Sequence, residues 1–118
     1  MIEADHHAPF AKLAENFARA LVALDFSSAH ALLSPGFQSV VGPDQLRSNY
    51  EEMVDYGGGP ATEALLITTM EDWPDRQSND LGWAYVAIVG EGFSEAVTVI
   101  VEEQEHGPCI RHLEWGRP

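Results

Sequence analysis

The chain has 118 residues, 19 acidic against 6 basic side chains for a formal net charge of −13, and one cysteine, Cys109. Its length suits one domain over 1–118 that buries roughly two thirds of the surface of its unfolded chain, with 1–8 expected to be flexible. The negative field repels phosphate backbones and anionic lipids, which sets nucleic acid and membrane aside as partners.

No run approaches the ~20 apolar residues of a membrane span, and the first residues lack the basic start and apolar stretch of a leader. A lone cysteine excludes an internal disulfide and has no metal-ligand spacing, so a buried, inert thiol in a cytoplasmic protein is the expectation.

Taking the chain in order, Phe10, Leu13, Ala14, Phe17, Leu21 and Leu24 recur at i, i+3, i+4, i+7, the spacing of one apolar helical stripe. Pro9 suits its first turn. Asp25 breaks the pattern as a capping or turn residue, and Ser27 or Ser28 can cap a short second helix that Ser34–Pro35–Gly36 ends. Phe37 to Val41 reads as a short strand. Gly42–Pro43–Asp44 then opens a helix with Leu46, Tyr50, Met53 and Val54 on one face, stopped by the glycines at 57–59.

Strands are expected at 62–73, 81–90, 92–104 and 109–116, with tight turns at Gly90–Gly92 and at Glu105–Pro108. With 37–41 they make five. Helices first and a meander of long strands afterwards imply an α+β layer, in which helices cover one face of an antiparallel sheet.

This order of elements, together with FARALVALDFSSAHALLSPGF, the glycine-stopped helix and the three closing strands, resembles the nuclear transport factor 2-like superfamily, also called SnoaL-like or cystatin-like. The resemblance spans the whole chain and implies a cone: a curved sheet wrapped around the long N-terminal helix, with a pocket between sheet and helices. Members include isomerases, polyketide cyclases, dehydratases and non-catalytic binding modules. The ending FSEAVTVIVEEQEHGPCIRHLEWGRP is similar to small bacterial immunity proteins of that fold, which neutralise toxins. It transfers no site residues.

Among candidate site residues, alternation places Glu95 in a row with Phe93, Val97, Val99 and Val101. A carboxylate in an apolar pocket wall is primed for proton transfer; beside the turn it simply reaches solvent. Arg111 shares a face with Cys109, Leu113 and Trp115, and a cross-strand ion pair with Glu95 or Glu102 is expected. His112 and Glu114 share the opposite face, a pairing usable for acid–base work or for a solvated edge. His30 is either a hydrogen-bonded core histidine or a pocket wall.

Tyr50, Trp83, Tyr85 and Trp115 are read as aromatic core, and with Arg111 as candidates for a pocket lining. No spacing supports a metal, and no glycine motif supports a phosphate-bearing cofactor.

Two functions remain open. The preferred one is a non-enzymatic binding module, an immunity protein masking a cationic toxin through acids such as Glu51, Glu52 and Asp55. The other is a small SnoaL-like isomerase, dehydratase or cyclase that handles a proton on an apolar substrate with Glu95, His112 or His30. A homodimer hiding an uncovered sheet face or edge is also expected.

Overall fold

The computed structural model describes residues 8–57 and 60–116. Helix α1 (Pro9–Val22) buries Phe10, Ala11, Ala14, Phe17, Ala18 and Leu21 along one side. It ends two residues before the predicted Leu24, because Asp25 N–H reaches back to Ala20 O at 2.8 Å and Leu24 N–H to Leu21 O at 2.9 Å, the wrap-around closure of a helix C-terminus. Leu24 takes the left-handed position at φ 62° and stands 64% exposed, outside the stripe it was expected to extend.

Asp25 itself caps helix α2 (Phe26–Ala31), accepting from Ser28 N at 3.2 Å and from Ser28 Oγ at 2.7 Å. The serines therefore do not supply the cap. Residues 37–41 are not a strand: helix α3 (Pro35–Val40) takes all but Val41, which follows it as the C-cap. The reason is local, since Ser34 Oγ accepts from Phe37 N at 3.3 Å and Pro35 fixes the first helical φ. Helix α4 (Pro43–Gly57) follows.

The sheet accordingly has four strands, in the order β1 (Ala61–Met70), β2 (Asp80–Gly90), β3 (Phe93–Gln104), β4 (Gly107–Trp115), all antiparallel. The two-residue turn Glu91–Gly92 joins β2 to β3 with Gly92 at φ 84°, and Gly107 at φ 113° closes the turn before β4. The register slips at Thr62 and Ile67 in β1, at Leu81 in β2 and at Arg111 in β4. Each slip is a bulge, which bends its strand and raises the local twist.

Residues directly opposite share a face. Gly82, Ala84, Val86 and Ile88 of β2 stand opposite Val101, Val99, Val97 and Glu95 of β3, and Ile110, Leu113 and Trp115 of β4 join that row. This face meets α1 and α4 and forms the core with Leu46, Tyr50, Met53 and Phe17. Gly82 lets α1 come close, because a Cβ there would collide with the Phe10 ring.

The other face carries Met70, Trp83, Ile100 and His112 in one row and Thr68, Tyr85, Thr98 and Glu114 in the next. None of these residues belongs to the core cluster or packs against it. The far edge of β4 is tied to the helical layer: Ile110 N donates to Leu32 O at 2.9 Å and its carbonyl accepts from Ser34 N at 2.7 Å.

Candidate functional site

The best-defined polar constellation is one that strand alternation does not foretell. Arg111 pairs with neither Glu95 nor Glu102 but with Asp80, which lies two strands away on β2. Nε donates to Oδ1 at 2.6 Å and Nη2 to Oδ2 at 2.7 Å, a bidentate fork of the kind planar guanidinium favours. Bulges at Leu81 and Arg111 sit on either side of Val101 and bring the two side chains together over β3.

The Asp80 side chain is 1% exposed and that of Arg111 17%. Burial pushes the Asp80 carboxyl up, but the Arg111 hydrogen bonds, the Gln77 N–H at 2.8 Å and the charges of Arg111 and Arg76 outweigh it, so it sits below the usual carboxylate value. Arg76 fastens the preceding loop by donating to Asp80 O at 2.6 Å and Glu71 O at 2.8 Å, with its guanidinium 6.0 Å from the Trp73 ring centroid. Every polar contact is internal, and the arrangement is a brace.

The five candidate pocket residues do not form one lining. Tyr50 is buried in the core at 5.8 Å from the Phe26 ring, and burial pushes its phenol up. Trp115 packs at the edge of the same core. Trp83 and Tyr85, expected beside them, lie on the opposite sheet face, their rings 7° from parallel at 6.0 Å. The aromatic set is therefore split by the sheet.

The three candidate proton-transfer residues are divided as well. Glu95 occupies the core-facing row as alternation predicted, opposite Ile88 and 8% exposed. His112 lies on the outer face, opposite Ile100, its Nε2 3.5 Å from Glu114 Oε1, and both side chains are largely exposed. His30 takes the hydrogen-bonded alternative: its Nε2–H donates to Val41 O at 2.8 Å, and Gln38 Nε2 donates to its carbonyl at 2.9 Å, which ties α2 to α3. Cys109 is half-buried, and burial followed by the charges of Glu102 and Glu103 pushes its thiol up.

Helix α4 turns Leu46, Tyr50, Met53 and Val54 inward and leaves Asp44, Arg47, Glu51, Glu52 and Asp55 on its exposed side. Arg47 Nε bonds Glu51 Oε1 at 3.3 Å, with both side chains mostly in solvent, so its screening of the ridge is weak. No basic residue stands in the last turn of α4. Of the acids Glu51, Glu52 and Asp55, the last stands in that turn, where the macrodipole is negative and acid side chains are disfavoured.

Comparison with protein-family models, with curated proteins and with solved structures found no match. Among the described residues no helix is long and apolar enough to cross a membrane, and no group of three or more His, Cys, Asp or Glu is placed to hold a metal ion. Asp80 is the residue that sequence reasoning passed over. Its only signal is an acid at the border between a polar loop and an apolar strand.

Proposed function

We propose that this chain is a non-enzymatic binding module of the nuclear transport factor 2-like fold, an immunity protein that acts in the cytoplasm and masks a cationic toxin with the acidic ridge of α4. The observation that carries this reading is the position of Glu51, Glu52 and Asp55. All three are exposed, and Asp55 stands in the last turn of α4 with no basic residue beside it there, where an exposed acid costs about 0.3–1 kcal/mol. An acid that weakens its own helix, continuing the exposed pair Glu51 and Glu52, is explained by a use outside the helix. A net charge of −13 steers a basic partner toward that ridge.

Because Glu95, His112 and His30 are separated, no more than one of them can reach a given substrate. The second reading, a SnoaL-like isomerase, dehydratase or cyclase, draws on one specific feature: Glu95 stands in an otherwise apolar core-facing row with Val97 and Val99.

Affinity capture from the host separates the two, with wild type and a Glu51→Lys/Glu52→Lys/Asp55→Lys variant as baits at low and high salt. The binding reading expects a basic protein held by wild type at low salt and lost in the other conditions. Equal retention by both baits would contradict it, and a substrate turned over by wild type but not by Glu95→Gln would establish the enzyme instead.

A further inference from the structure

We infer that the outer face of the sheet, centred on Trp83 and Tyr85, is the docking surface for an arginine-bearing segment of the cationic partner. The inference rests on the reading of this chain as a binder of a basic protein, and it names the chemistry that holds the partner away from the α4 ridge. The centre of the face is uncharged: Trp83 and Tyr85 on β2 stand opposite Ile100 and Thr98 on β3 and opposite Met70 and Thr68 on β1. Three acids surround it, with Glu63 opposite Val89, Glu102 two residues beyond Ile100, and Glu114 opposite Thr98. Of the bases on β4, Arg111 is committed to Asp80, and His112 lies 3.5 Å from Glu114.

Trp83 and Tyr85 are half-buried and stand over the small, buried Ala87, Ala96 and Thr98. Their rings lie 7° from parallel with centroids 6.0 Å apart, so they form a platform of one orientation. A guanidinium is planar and weakly hydrated: it stacks on aromatic rings and keeps its N–H donors for carboxylates at their edge, whereas an ammonium is a strongly hydrated point charge. The chain makes the same contact internally, where Arg76 stands 6.0 Å from the Trp73 ring centroid.

An aromatic centre inside an acidic margin is complementary to a segment that carries positive charge on a planar group. The same margin disfavours a second copy of this chain, because two such faces would bring like charges together. Among the described residues the helices pack on the opposite face of the sheet, so a segment bound here leaves the α4 ridge open to the rest of the partner.

Nona-arginine and nona-lysine are the probes, titrated into the full chain carrying Glu51→Lys/Glu52→Lys/Asp55→Lys so that α4 no longer contributes. Nona-arginine is expected to bind about two- to five-fold more tightly than nona-lysine, the ratio that an exposed cation–π contact supplies. Trp83→Leu/Tyr85→Leu in that background should bind the two alike. If that variant misfolds, Glu63→Lys/Glu114→Lys should weaken nona-arginine more than the equal charge change Glu91→Lys/Glu105→Lys, all four acids being exposed. Loss of α4 lowers both affinities together, whereas this face is read from their ratio, so the two claims fail separately. No preference for arginine, a preference that survives in a folded Trp83→Leu/Tyr85→Leu variant, equal effects of the two charge changes, or a wild-type dimer that the Trp83 and Tyr85 changes dissociate overturns the proposal.

Discussion

Arg111 and Asp80 hold one another through two hydrogen bonds of 2.6 and 2.7 Å although a whole strand lies between them. The two bulges that make this possible flank Val101, a core residue with no exposure. The fork thus couples β2 to β4, the two neighbours of β3, beside a fully buried residue of the strand between them. Removing one partner leaves the other charge desolvated, which costs about 3–5 kcal/mol for a buried pair.

Acid unfolding should report this pair. The Asp80 carboxyl lies below its ordinary 3.8 in the folded chain, so its contribution to stability is full above that value and disappears as pH falls through the lower folded pKa. Asp25, held low by the Ser28 side-chain and backbone hydrogen bonds, titrates with the same sign, and the informative quantity is the difference between proteins. Urea unfolding of Asp80→Asn is expected to show a loss of about 3 kcal/mol at neutral pH, shrinking toward zero below pH 3.8. A pH-independent difference would show that the charge is not the cause. An Asp80→Leu/Arg111→Met double variant is expected to recover most of the loss, since no charge is then stranded.

Gly82 is tested by the ring it accommodates. An added methyl there would stand inside contact distance of Phe10, and forcing a side chain from its place in a packed core costs about 1–3 kcal/mol. Gly82→Ala should therefore lower the thermal midpoint. Because the clash is with one ring, Phe10→Leu in the same chain should return part of that loss rather than add to it. Additive losses in the double variant would place the strain elsewhere.

Leu24 offers a gain. A leucine in the left-handed region carries about 1–2 kcal/mol of strain that glycine lacks, and this one is 64% exposed with φ 62°. After the greater entropy loss of glycine, Leu24→Gly is expected to be neutral or to stabilise by up to about 1 kcal/mol. A clear loss of stability would mean that the leucine side chain packs in solution.

Where the fold was legible in the sequence, periodicity made it so. The stripe of α1, the inward face of α4 and the row containing Glu95 follow from spacings of 3.6 and 2 residues. Residues 37–41 were misread because Val40 and Val41 look strand-like, whereas a serine–proline cap three residues upstream sets a helix. Alternation correctly put Trp83 and Tyr85 on one face, but it cannot say which face meets the helices. Two one-residue bulges hid the pairing of Asp80 with Arg111: each changes the parity from which partners are inferred, and 31 residues separate the two.

The acidic ridge of α4 is tested most directly by the association rate between the captured basic partner and this protein as salt is varied, for wild type, Glu51→Lys/Glu52→Lys/Asp55→Lys and Glu95→Gln. Surface charges are screened beyond about 8 Å at physiological ionic strength, so the wild-type rate is expected to fall steeply with salt. The triple variant should associate slowly at every salt concentration, yet keep a thermal midpoint close to wild type, since a lysine at 55 suits the last turn of α4 and the exposed Arg47–Glu51 pair that is lost contributes little. Glu95→Gln should associate like wild type. A partner whose rate ignores both salt and the triple reversal would contradict the electrostatic role of α4.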